Sequence, residues 1–395
     1  MPLKYIFSPF NLQVMNFRNN SLWLCLPLVL ILAPPLLGQG NKDGFLWRYV
    51  NSIINDTTDE SEPRLLIYPT VAYAPETSWE VGFSTLYVYY ANKDIENRLS
   101  EISGFTFYTF ENQYGIWFDH ALYTDQDKWF FLGRSRFQSF PLLYYGIGPD
   151  SPSDYLAEVD GNYLLLRERV LRELAHSVYF GLQVDYQNLF DVEFKSVENS
   201  VTIPRGGEGS ANLGLGFSLV YDNRHNVLNV RDGFFSEQAF LRYDDAWGSD
   251  FTFSNIISDN RLFVPVNERD VLAAQLFGQF TFNGNAPFNQ LALMGGESLM
   301  RGYYLGRYRD DNLIAGQVEY RLLPFKFAKR FGASAFISAG QVFGSGRGFE
   351  VHELLPAGGL GGRFLLFPKK DIWVRLDMAF TEEGSGFYFF IGEAF

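Results

Sequence analysis

Arg301 stands in a glycine-flanked stretch, Gly295-Gly296-Glu297-Ser298-Leu299-Met300-Arg301-Gly302-Tyr303. The chemistry open to it is charge-assisted pairing, because a guanidinium presents a fixed fork of donors that carboxylates accept. Catalytic and metal chemistry have thinner support. The four histidines, His120, His176, His225 and His352, share no metal-ligand spacing. Serine, histidine and aspartate all occur, but no local nucleophile signature gathers them, which weighs against a hydrolase. Gly344-Ser345-Gly346-Arg347-Gly348 lacks the Lys-Ser/Thr of a phosphate loop. Cys25, the one cysteine, lies in a segment expected to be removed, which leaves no disulfide, thiol nucleophile or Cys-ligated metal. The expectation is a protein that is not an enzyme and uses no cofactor and no metal.

The elements that must position Arg301 follow from period-two alternation, which dominates from Arg64 onward. Val178, Phe180, Leu182, Val184 and Tyr186 form one apolar face, while Tyr179, Gly181, Gln183 and Asp185 form the other. Leu213, Leu215, Phe217, Leu219 and Tyr221 repeat the split, as do Leu376, Met378 and Phe380 against Arg375 and Asp377. Such segments lie near 64-74, 78-92, 97-112, 113-124, 127-138, 158-170, 173-188, 213-223, 232-244, 250-265, 269-284, 311-322, 330-343, 356-368, 370-382 and 386-395. The count is about sixteen, with fourteen and eighteen as the neighbouring even numbers, and short connections alternate with long ones. A sheet with lipid on its outer face has to close, since an open edge leaves unpaired backbone groups in hydrocarbon. The fold class is therefore all-β, a transmembrane antiparallel barrel over residues 64-395. A secreted soluble β protein is the alternative that recurring lipid-like faces disfavour.

Composition fits this picture. The 395 residues include 40 Phe and 23 Tyr, yet mean hydropathy is only -0.08, so apolar groups alternate closely with polar ones. A net charge of -13 without a basic stripe excludes nucleic acid as a partner. Lys4 and Arg18 precede an apolar run from Leu22 to Leu37 that ends near Pro34-Pro35, Gly38 and Gly40. Residues 1-38 read as a cleaved signal peptide, with cleavage near Gln39, because the run is too short and broken to span comfortably. Residues 39-63 form a short periplasmic segment in which Phe45, Leu46, Tyr49, Val50, Ile53 and Ile54 recur at helical spacing. That N-terminal helix caps strands at the interface, or serves as a plug or periplasmic contact.

Arg301-Gly302-Tyr303, preceded by Gly295-Gly296 and placed after the eleventh of sixteen strands, resembles the Arg-Gly-aromatic motif in the sixth extracellular loop of the Omp85 superfamily. Asp222-Asn223-Arg224-His225, running on to Asp232-Gly233, is similar to a second stretch of that family, with Val230 where proline is usual. Gln317-Val318-Glu319-Tyr320-Arg321, Gly359-Leu360-Gly361-Gly362-Arg363 and Arg375-Leu376-Asp377 resemble its later strands. Together these matches span about residues 213 to 395; the first half matches only in architecture. The resemblance implies an outer-membrane barrel that assists insertion or translocation of proteins. Relatives usually carry periplasmic POTRA modules, for which residues 41-63 leave no space. The implied partners are outer-membrane lipid, client outer-membrane or secreted proteins, and periplasmic or lipoprotein partners that replace those modules.

Parity then names partners for Arg301. Glu319 and Asp377 fall on the inward phase of their strands, so a pair with either would hold the loop inside the lumen. Where the family offers an aspartate in a Phe-x-Asp-x-Gly pattern, Phe336-Ile337-Ser338-Ala339-Gly340 has Ser338, a third candidate and a weaker one. Pro69 in the first strand removes a ladder donor, and Gly392 lowers the stability of the last, so the seam between them is expected to be weak. In relatives such a seam is thought to open and template a client strand. Phe395 resembles a barrel assembly signal, although Glu393 stands where an apolar residue is usual. A passive pore or exporter through the lumen is the alternative function.

Overall fold

The computed structural model describes residues 51, 59–74, 78–110, 112–197, 201–344 and 346–395, with backbone alone for 71–74, 78 and 79. The expected signal peptide, Cys25 and, save residue 51, the expected helix at 45–54 lie outside the described residues.

Alternation produces sixteen long strands, each paired antiparallel with its sequence neighbours. They are β1 (Arg64–Ala74), β2 (Ser78–Tyr90), β3 (Leu99–Thr109), β4 (Tyr114–Tyr123), β5 (Trp129–Ser139), β6 (Ala157–Ala175), β7 (Val178–Ser196) and β8 (Ser210–Asp222). The second half comprises β9 (Gly233–Tyr243), β10 (Phe253–Pro265), β11 (Asp270–Phe282), β12 (Asn312–Leu322), β13 (Phe331–Phe343), β14 (Leu355–Phe367), β15 (Ile372–Thr381) and β16 (Gly384–Ile391). Three short pieces complete the set: Leu142–Tyr144 pairs with the start of β6, while Ala292–Met294 and Tyr308–Asp310 form a separate hairpin.

Most strand ends fall within three residues of the sequence reading, and four ends, in β6, β7 and β16, differ by more. The turn between β6 and β7 falls at 176–177, and both strands are longer than expected, projecting beyond their neighbours at the loop end. Leu174 continues the outward phase, so the hairpin needs no break at 171–172. The last strand stops at Ile391 instead of running to 395.

The two faces differ as a lipid-spanning barrel requires. Outward side chains such as Leu182, Ile337 and Leu360 are 70%, 69% and 66% exposed. Inward positions carry buried ion pairs, including Arg134 with Asp119, Arg167 with Asp185, Arg169 with Glu237 and Arg261 with Asp259. A buried charge is tolerable only when paired and hydrogen-bonded, so the lumen wall is built as a lattice of opposite charges.

The ends of the sheet meet differently from every other pair of neighbours. Among the described residues no strand register joins β1 to β16. Leu66 of β1 and Leu86 and Val88 of β2, all inward by phase, pack in one cluster with Val374 of β15 and Ile391 of β16. These last two are outward by phase, because Arg375, Asp377 and Tyr388 point in, while Leu376 and Met378 farther along β15 are exposed. The inner face of the first hairpin thus overlies the outer face of the last at the turn end. Among the described residues, apolar overlap at the turn end takes the place of a continuous strand register at this seam.

Candidate functional site

The connection from β11 to β12, residues 283–311, is the sixth on the loop end, and it enters the lumen. Its hairpin, Ala292–Met294 with Tyr308–Asp310, packs through Met294 and Tyr308 against Ala315 of β12 and Val342 of β13. Beyond Met294 the chain dips toward the wall, and Arg301 at its tip is fully buried.

Arg301 spans two strands. Its Nη1 donates to Asp377 Oδ2 of β15 at 2.6 Å, and its Nη2 to Glu319 Oε2 of β12 at 2.6 Å. The guanidinium lies over the Phe336 ring of β13, 3.4 Å from the centroid, where the ring quadrupole favours a cation. Ser338 is not brought to Arg301: its hydroxyl faces the Ala357 carbonyl at 3.5 Å. The missing family aspartate is matched by a pairing that uses both other carboxylates at once.

Those carboxylates are shared. Arg363 of β14 reaches Asp377 at 2.6 Å, Glu319 at 3.2 Å and Glu393 at 2.9 Å. Arg321 pairs with Glu319 at 2.9 Å, and Arg375 with Asp377 at 2.8 Å. Four guanidiniums therefore face three carboxylates, and Arg321 also donates to the main-chain oxygen of Phe395 at 3.1 Å. Charge-assisted bonds of this kind are short and directional, so the cluster fixes geometry across β12, β14 and β15.

Backbone anchors complete the lock. Gln317 donates to the Ser298 carbonyl at 2.7 Å, Arg375 to the Glu297 carbonyl at 3.1 Å, and the Gly302 N–H to the Tyr388 hydroxyl of β16 at 2.8 Å. Gly302 has φ of +108°, and a Cβ there would stand 2.5 Å from Thr381 Cγ2, so this position suits only glycine. Gly295 and Gly296 lie just after the first hairpin strand, and the Gly296 N–H donates to the Tyr303 carbonyl at 3.0 Å. The Tyr303 hydroxyl donates to the Pro356 carbonyl at 3.1 Å; burial pushes its pKa up to about 12, so it remains a donor. At the mouth, Arg307 makes a two-pronged pair with Glu383 at 2.7 Å, and Arg309 donates to the Leu143 carbonyl at 2.9 Å. Beside the loop a cavity of about 210 Å³ remains, lined by Trp117, Arg136, Tyr163, Tyr243 and Gln290 among others.

The second motif forms a separate cluster at the turn end. Arg224 makes a bidentate pair with Asp222 at 2.9 Å and lies over the Phe235 ring at 4.3 Å. Arg98, from the β2–β3 turn, joins Asp222 at 3.5 Å and Asp127 at 3.3 Å. Burial disfavours the Arg224 charge, but the Asp222 carboxylate outweighs it and holds the pKa above its ordinary value. Gly233 opens β9, and Val230, where proline was usual, is buried against Phe395.

The seam residues are spread out. Pro69 is exposed on β1, and the β1–β2 register runs through it without a shift. Gly392, with φ of +88°, follows Ile391 and turns the chain inward. Phe395 is consequently inside the lumen, packed with Val230, Phe263, Val271 and Ala273, and is not part of a strand. Glu393 meets Arg363 there, which explains a charge at that position.

Several site residues carried a readable signal that the reading left unused: Arg321, Arg363 and Arg375 share the inward phase of Glu319 and Asp377. Tyr388 shares the inward phase of β16 as well, whereas the place of Glu393 carried no signal, because the inward turn after Ile391 has no sequence mark beyond Gly392. In the seventh loop, Glu350, His352 and Glu353 hold their ligand atoms within 4.8 Å of one another, although Glu353 is paired with Arg347 at 3.0 Å.

A family model described as the Omp85 superfamily domain matches residues 108–354, more than half of the chain. Among solved structures, the chain is similar to BamA from Haemophilus ducreyi lacking POTRA domains 1-3, with 12% identity, a TM-score of 0.52, and coverage of 84% of this chain and 69% of that one. A second match is OccK3 (OpdO) of Pseudomonas aeruginosa, with 10% identity, a TM-score of 0.32, and coverage of 83% and 92%. No curated protein matches by sequence. The BamA likeness bears on the fold alone, and the family match extends across ten of the sixteen strands and the whole Arg301 loop: the chain belongs to the Omp85 superfamily.

Proposed function

We propose that this protein assists insertion or translocation of other proteins at the bacterial outer membrane, working at the β1/β16 seam. The observation that carries this reading is the seam itself: sixteen strands pair with their sequence neighbours, yet the two ends meet through apolar overlap. Side chains can separate there without breaking a continuous ladder, and a strand edge then becomes available to template an incoming strand. The clients are chains that present a β edge, and outer-membrane lipid surrounds the belt. Residues 1-38 act as the export signal, and residues 39–63 face periplasmic or lipoprotein partners. A passive pore or exporter would need loop six to leave the lumen, against the buried Arg301 cluster.

The test is a reversible seam disulfide, Leu66→Cys with Ile391→Cys in a Cys25→Ser background, in vesicles offered an unfolded barrel client. Oxidation is expected to stop client insertion and reduction to restore it. Full insertion by the oxidised, crosslinked protein would overturn the proposal.

A further inference from the structure

The lipid-facing belt is interrupted by a polar patch midway along β9 and β10. Ser236, Gln238, Ser258 and Asn260 all point outward, since Phe235, Glu237, Asp259 and Arg261 on the alternate phase are buried. They lie side by side in register, Ser236 opposite Asn260 and Gln238 opposite Ser258. Gln238 is the middle residue of β9, and the other three sit within two residues of their strands' centres, so the patch lies at the level of the hydrocarbon core.

The four side chains satisfy one another only in part. Ser236 Oγ donates to Asn260 Oδ1 at 2.8 Å, Asn260 Nδ2 to Ser258 Oγ at 2.9 Å, and Gln238 Nε2 to Ser236 Oγ at 3.3 Å and Asn260 Oδ1 at 3.4 Å. Among the described residues the Gln238 side-chain oxygen accepts no hydrogen bond. Acyl chains can supply neither donor nor acceptor, so lipid would leave these groups unmet. The patch is framed by exposed apolar side chains: Ile256 and Leu262 along β10, Leu219 across from Gln238, and Leu276 across from Asn260.

We propose that this patch is the centre of an interface with a second copy of the same chain within the membrane. The patch carries no charge, so a charged partner would bury an uncompensated ion. Carboxamides and hydroxyls are each both donor and acceptor, so the patch complements itself, as an isologous two-fold contact requires. Ser, Asn and Gln are also the side chains that join protein segments inside bilayers. β9 and β10 lie halfway around the barrel from the β1/β16 seam, so two copies packed back to back keep both seams open to lipid. The inference rests on the outward belt facing lipid and not on what the seam does.

The experiment is single-molecule photobleaching of labelled protein in lipid vesicles across a dilution series, with disulfide capture of Gln238→Cys in a Cys25→Ser background. Wild type is expected to bleach in two steps, Gln238→Cys to form a homodimer on oxidation, and Leu182→Cys, equally outward on β7, to form none. Gln238→Leu with Asn260→Leu is expected to weaken association at least tenfold; because the variant adds apolar groups to the belt, heat-modifiable mobility should show the barrel intact. Single-step bleaching of wild type at every dilution, a double variant that dimerises equally well, or a Gln238→Cys adduct with a different protein would each overturn the proposal. Client insertion, read in the same vesicles, reports on the seam alone, so failure of one reading is distinguishable from failure of the other.

Discussion

Replacing Arg301 with alanine tests whether loop six is locked in the lumen. The change removes two hydrogen bonds to charged acceptors, both 2.6 Å, and bonds of this kind contribute about 1.5–3 kcal/mol each. The carboxylates left behind are not stranded. Glu319 keeps Arg321 at 2.9 Å and Arg363 at 3.2 Å, and Asp377 keeps Arg363 at 2.6 Å and Arg375 at 2.8 Å. Four guanidiniums against three carboxylates become three against three, so the penalty of about 3–5 kcal/mol for breaking a buried pair applies only in part. A loss of about 3 kcal/mol in loop docking is the working figure, which at about 1.4 kcal/mol per tenfold moves the docked-to-undocked ratio roughly 100-fold. Single-channel recording in planar bilayers reads this directly. Wild type should show low, flickering conductance, and Arg301→Ala an open fraction raised by about two orders of magnitude or to saturation. Arg301→Lys should fall between them, because an ammonium is a point charge that does not bridge two carboxylates as a guanidinium does. A folded, heat-modifiable variant with the wild-type conductance histogram would refute the lock, and a steadily open wild type would refute the plugged lumen.

Gly302→Ala forces a Cβ against Thr381 at φ of +108°; undocking of loop six by about 1–3 kcal/mol should appear as faster limited proteolysis within 283–311. Arg363→Ala removes the guanidinium that links Asp377, Glu319 and Glu393 and leaves Glu393, among the described residues, only Arg321 at 3.6 Å, so it should cost about 3–5 kcal/mol, read as a lower urea midpoint of the refolded barrel. Arg307→Ala breaks a pair whose Glu383 partner is 31% exposed; solvent screening limits the loss to about 1 kcal/mol or less, and a shift as large as that of Arg363→Ala would contradict the burial argument.

What the sequence disclosed followed the period of its strands. Sixteen segments were legible because an outer face meeting lipid and an inner face meeting paired charges force strict alternation, and parity alone put Glu319 and Asp377 inside. Legibility failed where the chain leaves a strand. Ser338 occupies the inward phase too, but the distance from Arg301 is set by the path of loop six, which no periodicity encodes. Phe395 read as the end of β16, since Gly386, Tyr388 and Phe390 continue an inward phase up to Gly392; the turn there depends on Arg363 and Arg321 capturing Glu393 and Phe395 from other strands. The seam was half legible. Pro69 marked an edge, but the overlap of Leu66 and Val88 with Val374 and Ile391 is a tertiary register that a single strand cannot reveal.

The lock and the seam draw on the same strands, and this has a measurable consequence. Asp377 and Arg375 belong to β15, and Tyr388 to β16, the seam strand itself. Glu393, which follows β16, holds Arg363 of β14, and Arg363 shares both Asp377 and Glu319 with Arg301. Displacing β16 from under β1 therefore pulls on the residues that dock loop six, and undocking loop six removes the Gly302–Tyr388 bond that steadies β16. Coupling between two such equilibria is reciprocal. If Arg301→Ala favours undocking about 100-fold, part of that shift must appear at the seam, as faster alkylation by a membrane-soluble thiol reagent of a cysteine placed at Ile391, which the overlap now buries. Conversely, the oxidised Leu66/Ile391 disulfide should reduce the open fraction of the Arg301→Ala channel. If alkylation at Ile391 is unchanged by Arg301→Ala and the channel is unchanged by the disulfide, the two devices are independent, and a shared network of arginines and carboxylates is then a static brace for the wall.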